Sequence, residues 1–355
     1  DQLDQVFEKF GDRHKDMESV LLEHFLKVER WVVSDSPLSD ERRLLTGAYF
    51  TQEYSLESAA LFNPSIVPHP DQSGVPAGSV RFIMSLRATG EGHISSIVFR
   101  EGMVDGDHSV SVRAATPYVT EPNRIPNPSY DKHLFMRKLG EVGLDDDFSA
   151  AVMRELGDRF NYQDLSRAVE NRRRRMNMFS HAAPDAESIM ALASANYQVR
   201  FNATQRTSER AIFPVSSDHA NSIEDARFVR FQDERGRRKY YATYTAFDGK
   251  VIIPQLLETE DFLTFRFITL NGPAVRNKGM ALFPRKVNGC YAMLSRQDNE
   301  NLFIMYSDNI HFWYSPRILL RPTFPWEYVQ LGNCGSPIET DAGWLVLSHG
   351  VGPMR

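Results

Sequence analysis

The sequence predicts an all-β core built from propeller-like blades, with α-helices added to it. Three observations carry that prediction. Short apolar stretches of period two, separated by polar or Gly-rich turns, run through most of the chain after about Leu45. Two stretch ends share a hydroxyl residue, an acidic or amide residue behind it and then an aromatic, about 47 residues apart, close to a blade period of roughly 40 to 50. Two segments break this pattern with helical periodicity.

The first of these is the N-terminus. Met17, Val20, Leu21, His24, Phe25 and Val28 share one face of a helix, and Ser36-Pro37 and Ser39-Asp40 end the region. A helical extension over residues 1–44 is therefore expected, packed on the side of a domain spanning 45–355. Within that domain Leu61–Val67, Val80–Leu86, Ile94–Phe99 and Val110–Arg113 read as four strands with Gly-rich turns, a first blade. Residues from about 116 to 195 form the second break. Pro117, Pro122, Pro126 and Pro128 mark a loop, and Phe148, Val152, Leu156, Phe160 and Leu165 then suggest helices. The run Arg172–Arg175 reads as a solvated helix face or an intersubunit contact, because a nucleic-acid surface would interleave aromatics with the basic residues.

Strands resume at Tyr197–Phe201, Ala211–Phe213, Arg227–Phe231, Tyr240–Ala246 and Val251–Ile253, grouped as a second blade that ends at Glu258–Phe265. The next runs from Lys278 through Cys290–Ser295 and Leu302 to Phe312. A last piece, Trp326–Val329 through Trp344–Gly350, opens another blade that the sequence leaves half made, so a further segment is expected to close the ring, since open sheet edges are avoided.

Composition narrows the function classes. Of 355 residues 42% are hydrophobic and 25% charged, as in soluble globular proteins, and the formal net charge is −5. No global field draws such a chain to nucleic acid or to an anionic membrane, so neither is expected as a partner. No apolar run approaches the roughly 20 residues that span a bilayer, and the start at Asp1 has neither an initiator Met nor a signal-type apolar stretch. The two cysteines, Cys290 and Cys334, lack metal-ligand spacing and are expected to be buried free thiols, with the cytoplasm as the default compartment. No metal site and no cofactor motif is found: there is no phosphate-binding Gly-rich loop ending in Lys-Ser/Thr and no His-Glu-x-x-His pair. Gly332-Asn-Cys-Gly-Ser-Pro lies near His349 but is not a nucleophile elbow.

The candidate chemistry rests on one acid and three donors. Asp225, in Ile223-Glu-Asp-Ala-Arg, precedes an aromatic strand and can face a central cavity; equally, it can be a turn residue paired with Arg227. Lys278 precedes a strand, Arg296 follows one, and His349 sits in Ser-His-Gly at another strand end. Singly these are surface charges or a structural histidine; at similar blade positions they would converge into an anion site that fits phosphate. Carboxylates are too numerous to reveal the pair that glycoside cleavage usually needs.

Several blocks in order, Phe62-Asn-Pro-Ser-Ile, Leu86-Arg-Ala, Ile223-Glu-Asp, Lys278 with Leu282-Phe-Pro, Arg296, Ser307-Asp with Phe312, and Ser348-His-Gly, resemble glycoside hydrolase family 130, the mannoside phosphorylases and mannosidases. The resemblance covers about residues 45–115 and 195–355. It implies a five-bladed β-propeller with a central active site and an inverting β-mannoside phosphorylase that releases α-mannose 1-phosphate. In that reading Asp225 is the general acid, acting by way of the sugar 3-hydroxyl. Lys278, Arg296 and His349 bind inorganic phosphate, and Asn63, Arg87 and Glu224 hold the mannosyl unit. Phosphate attacks the anomeric carbon as co-substrate without a base, so one carboxylate suffices. A homo-oligomer is expected, since family members associate through added elements. The chain departs from the family at Ala226, where Pro is usual, and at Gly279, where many phosphorylases carry a polar residue. An inverting β-mannosidase that uses water and a non-catalytic glycan-binding protein stand as alternatives.

Overall fold

The computed structural model describes all residues except 1, 35, 127–128, 176–181, 215–221, 248–251 and 354–355. Pro128 and Val251, the first residue of the expected Val251–Ile253 strand, lie outside the described residues.

The chain opens on helices α1 (Gln2–Phe10), α2 (Met17–Val28) and α3 (Asp40–Tyr49). Asp16 caps α2 by accepting from Ser19 N, and Met17, Leu21 and Phe25 of the predicted face are buried. Gly47 lets α3 lie against α2: a Cβ there would sit 1.8 Å from Leu21 O. Lys15 ties this region to the strands through Glu209 (Nζ–Oε2 2.7 Å).

Strands β1 (Ala60–Pro68), β2 (Val80–Thr89), β3 (Ser95–Val104) and β4 (Val110–Val112) form an antiparallel meander, as their spacing predicts. Next come β5 (Asn123–Pro126), the short pair β6 (Tyr130–Asp131) and β7 (Arg159–Phe160), and helices α4 (Lys132–Glu141), α5 (Asp147–Arg154), α6 (Tyr162–Arg175) and α7 (Ala182–Ser194). These helices close over their own core, which includes Phe135, Phe148, Val152, Phe160, Leu165 and Ile189. They are fastened to the strands by Lys138 Nζ donating to Leu270 O at 2.9 Å and by Glu141 accepting from Gly272 N at 2.6 Å.

The second half holds β8 (Tyr197–Arg200), β9 (Ala211–Ile212), β10 (Ser222–Gln232), β11 (Arg238–Phe247), β12 (Ile252–Thr259) and β13 (Thr264–Thr269). It continues with β14 (Lys278–Leu282), β15 (Tyr291–Arg296), β16 (Leu302–Ser307) and β17 (Pro316–Leu320), and then β18 (Gln330–Asn333), β19 (Ile338–Thr340), β20 (Gly343–Leu345) and β21 (Ser348–Val351). β10 to β13 form one antiparallel meander and β14 to β17 another. β18 pairs with β21, and β19 with β20.

Pairing departs from the expected second blade. β9 joins β3 of the first meander (Ile97↔Ile212), whereas β8 stays with the second, pairing with β13 as its outer strand, and β5 is added beyond it. Glu258–Phe265 is no blade end but the turn from β12 to β13. Apolar periodicity marks a strand without naming its neighbour. Here ring stacking decides the neighbour, since Tyr197 on β8 lies 4.4 Å from Phe267 on β13 at an interplanar angle of 7°.

Alternation along the strands explains how the meanders stack. On β10, Phe228 faces a core shared with Phe99 and Ile83 of the first meander, whereas Val229 and Phe231 face Leu282, Met293 and Met305 of the third. Ala292 and Leu294 of β15 then point the other way, toward Leu331 of β18. The second and third meanders are thus covered on both faces by their chain neighbours, so the protein is mostly β with its sheets packed in sequence order. β3 and β10 touch edge to edge through one parallel pair, Ser95↔Ser222.

The cysteines correct the expectation of burial: Cys290 is half-buried and Cys334 exposed, both as free thiols. No helix among the described residues is long and apolar enough to cross a membrane.

Candidate active site

One backbone device recurs on the first strand of each meander. β1 bulges between Phe62 and Ser65, β10 between Glu224 and Arg227, and β14 between Lys278 and Ala281. The residue after each bulge opens lies at positive φ: Asn63 at 50°, Asp225 at 55° and Gly279 at 84°. Asn, Asp and Gly are the residues that tolerate this conformation, and a bulge re-aims the side chains beside it. The residues before them pair across the strand with Arg87, Thr245 and Arg296, so the two arginines hold equivalent places on β2 and β15.

The bulges gather two adjoining groups of side chains. In the first, Glu224 accepts from Arg87 Nη2 (2.9 Å), Ser222 Oγ (3.0 Å) and Lys278 Nζ (2.6 Å). Arg87 is held in turn by Ser95 Oγ at 2.9 Å, and its Nη1 lies 4.0 Å from Asp225 Oδ1. Burial raises the Glu224 pKa, but the Lys278 hydrogen bond and the charges of Arg87 and Lys278 outweigh it and hold the carboxyl below the usual glutamate range.

The second group is Arg227, Arg296 and His349. His349 faces Gly332 across β18 and β21. A Cβ on Gly332 would lie 2.7 Å from His349 Cε1 and 3.3 Å from Arg296 Nη1, so the missing side chain lets imidazole and guanidinium meet there. Burial lowers the pKa of Arg227 and of Arg296, and Asp225 opposes both shifts. Burial also lowers His349, aided by Arg227 and Arg296 and opposed by Asp225, so its imidazole is held toward the neutral form. Nδ1 of His349 lies 3.8 Å from Cys334 Sγ.

The structure therefore brings Arg87, Glu224 and Lys278 into direct contact and sets Asp225 beside both groups. Lys278 is the cross-strand partner of Arg296, yet its ammonium is committed to Glu224. Asn63 shares the bulge geometry, but its side chain is exposed and makes no hydrogen bond to the cluster among the described residues. Arg227, weighed from sequence as the salt-bridge partner of Asp225, forms no ion pair within 4.0 Å among the described residues; instead its Nη1 is enclosed without a hydrogen bond. Sequence reasoning missed this role and that of Asn333, whose Oδ1 is also enclosed and unpartnered. The only signal was that Arg227 follows the bulge residue by two, a spacing that reads equally as a local salt bridge.

Arg87, Arg227, Lys278 and Arg296 face the carboxylates of Glu224 and Asp225, an excess of cations that suits an anion. Among the described residues no group of three or more His, Cys, Asp or Glu could hold a metal ion. A cavity of about 250 Å³ lies elsewhere, between the α4–α7 helices and β13, lined by residues such as Lys138, Arg159, Arg266 and His311, and contains none of the predicted site residues.

Residues 185–354, just under half of the chain, match a family model described as beta-1,4-mannooligosaccharide phosphorylase. The model is that of glycoside hydrolase family 130, and the matched region holds Glu224, Asp225, Arg227, Lys278, Arg296, Asn333 and His349; Asn63 and Arg87 precede it. Similar curated proteins include the 1,2-beta-oligomannan phosphorylase of Thermoanaerobacter sp. (strain X514), 31% identical over 147 residues, 38% of this chain and 46% of that protein. The beta-1,4-mannooligosaccharide phosphorylase of Ruminococcus albus is 37% identical over 99 residues, 26% of this chain and 29% of that protein. The chain thus spans less than half the length of these relatives. The solved beta-1,2-mannobiose phosphorylase from Listeria innocua, in complex with beta-1,2-mannobiose, aligns with 83% of this chain and 77% of its own at 18% identity and a TM-score of 0.37.

Proposed function

We propose that the chain carries the active site of an inverting β-mannoside phosphorylase, with inorganic phosphate as co-substrate and α-mannose 1-phosphate as product. The relatives named above are phosphorylases of β-mannosides, and the site supports that reading in one respect above all: its free charge is positive. Both Glu224 oxygens are taken up by Arg87, Ser222 and Lys278, whereas Arg227 Nη1 is unpartnered next to Arg296 and His349.

Asp225 is the general acid. Arg296, His349 and Lys278 receive phosphate, with Lys278 also bracing Glu224. Arg87, Glu224 and Asn63 hold the mannosyl unit. A dianion among these cations supplies its own nucleophilic oxygen, so no carboxylate base is required. The committed Glu224 speaks against the hydrolytic alternative, which needs a free carboxylate to activate water.

The fold reading that goes with this is a five-bladed β-propeller over 45–355. The β1–β4, β10–β13 and β14–β17 meanders serve as blades, and residues 1–44 and about 116–195 are helical additions. The repeated first-strand bulge supports it, because blades around one axis would set those bulges side by side.

The test is incubation with β-1,2- and β-1,4-mannobiose with and without phosphate. Phosphate-dependent release of mannose 1-phosphate is expected. Equal release of free mannose in both conditions would reject phosphorolysis.

A further inference from the structure

The Arg87 guanidinium is divided between partners on β3 and β10. Its Nε donates to Ser95 Oγ at 2.9 Å and its Nη2 to Glu224 Oε1 at 2.9 Å, while Nη1 lies 4.0 Å from Asp225 Oδ1. Glu224 Oε1 also accepts from Ser222 Oγ at 3.0 Å. Ser95 is fully buried at the start of β3, with Thr89 Oγ1 at 3.1 Å, and Ser222 is buried at the start of β10. Because arginine only donates, Ser95 Oγ accepts from it and keeps its own proton for Thr89. The two serines are each other's partners in the parallel pair that joins β3 to β10. The seam between the first two meanders thus brings both hydroxyls to the Arg87–Glu224 ion pair.

On a guanidinium, Nε–H and one N–H of Nη2 point the same way and form a fork that a carboxylate takes with both oxygens. Here Ser95 occupies the Nε prong, and Ser222 holds Glu224 Oε1 at the Nη2 prong. The other carboxylate oxygen, Oε2, is turned to Lys278 Nζ at 2.6 Å. Glu224 is therefore kept off Nε, and the remaining corner of the guanidinium, Nη1, is left facing Asp225. Removing the Ser95 hydroxyl leaves a charged N–H without its acceptor, which is costly. The carboxylate then gains by sliding onto Nε, and that shift turns Nη1 away from Asp225. Removing the Ser222 hydroxyl frees the same slide from the other side.

We propose that Ser95 and Ser222 are positioning residues for the sugar-binding pair. They hold Arg87 and Glu224 so that Arg87 Nη1 is presented beside Asp225, and they act through that pair rather than on the sugar. The inference rests on the assignment of Arg87 and Glu224 to the mannosyl unit and deepens it. Serines that merely pinned β3 to β10 would affect stability and treat both substrates alike, whereas positioning residues for Arg87 affect the mannoside.

The experiment measures KM for mannobiose and for phosphate in the parent, Ser95→Ala, Ser222→Ala and the double variant. Ser96→Ala is the control: Ser96 is equally buried on β3, but alternation turns it to the other face, where its Oγ donates to Ala88 O at 3.5 Å. Ser95→Ala should raise the KM for mannobiose at least about ten-fold, the scale of one hydrogen bond to a charged group. Its KM for phosphate should stay within about two-fold of the parent's. Ser222→Ala should also raise the mannobiose KM, and Ser96→Ala should leave it within about two-fold. The double variant should be no more than about two-fold worse than the worse single one, because both serines act through one ion pair. Parental mannobiose KM values in both single variants overturn the proposal, as does a phosphate KM that rises in step in Ser95→Ala. Effects that multiply in the double variant overturn it too. If the parent cleaves mannobiose equally without phosphate, the phosphorylase reading falls alone, since the mannobiose KM can still be compared in hydrolysis. If the parent neither binds nor cleaves mannobiose, both fall.

Discussion

Asp225 and Gly279 occupy the same left-handed bulge position on the first strands of successive meanders, at φ 55° and 84°. One position carries the candidate acid and the other carries no side chain. The site is therefore a repeated backbone device with different residues set into it.

Asp225→Asn tests the acid with little disturbance, since Asn also tolerates positive φ. We expect kcat to fall by about 10²- to 10⁴-fold, with the melting temperature close to that of the parent. Parental turnover by the variant would remove Asp225 from the chemistry.

Glu224 forms ion pairs with Arg87 and Lys278 at once. Glu224→Gln should lower stability at neutral pH by about 1–3 kcal/mol in urea denaturation, because two part-buried cations lose their counter-charge. The folded-state pKa of Glu224 lies below its ordinary value. Its contribution is therefore fully present above about pH 4.3 and is lost as pH falls through the lower, folded value. The parent should lose stability more steeply than the variant on acidification in that range. Parallel pH profiles would contradict the linkage.

His349 faces Arg227 and Arg296, with Asp225 as the opposing charge and Cys334 beside Nδ1. Its NMR titration midpoint should lie below the ordinary histidine value of about 6.5 and rise when phosphate is added, because an anion favours the imidazolium. In the free protein the unfolded chain takes up this proton first, so His349 makes folding less favourable as pH falls below about 6.5. A midpoint at or above the ordinary value in the phosphate-free protein would contradict the packing described.

Gly332→Ala should raise the KM for phosphate with a smaller effect on kcat, since its methyl group would push His349 and Arg296 apart without touching Asp225. The cost in stability should be about 1–3 kcal/mol. An unchanged phosphate KM would place the anion elsewhere.

Ser65 links the β1 bulge to β10 by accepting from Phe228 N at 2.8 Å. Ser65→Ala leaves that N–H unpaired and should cost about 1–3 kcal/mol in chemical denaturation. A variant as stable as the parent would show that the two bulges are held in place by packing alone.

Local chemistry written in the sequence determined much of this molecule. Period-two alternation marked β1 to β4 and most of β10 to β16, and the spacing of Met17, Leu21 and Phe25 marked the buried face of α2. The motifs around Asp225, Lys278, Arg296 and His349 singled out residues that do lie around neighbouring bulges or beside them. Only the tertiary structure decided which strands pair, that Lys278 is bound to Glu224, and that Arg227 rather than Asp225's expected salt bridge presents an unpartnered donor. The physical reason is range. Helix faces, strand alternation and residues suited to positive φ are properties of a few consecutive residues. Pairing between Ile97 and Ile212, or the meeting of His349 with Arg296 over Gly332, depends on segments far apart in sequence whose packing must be solved together.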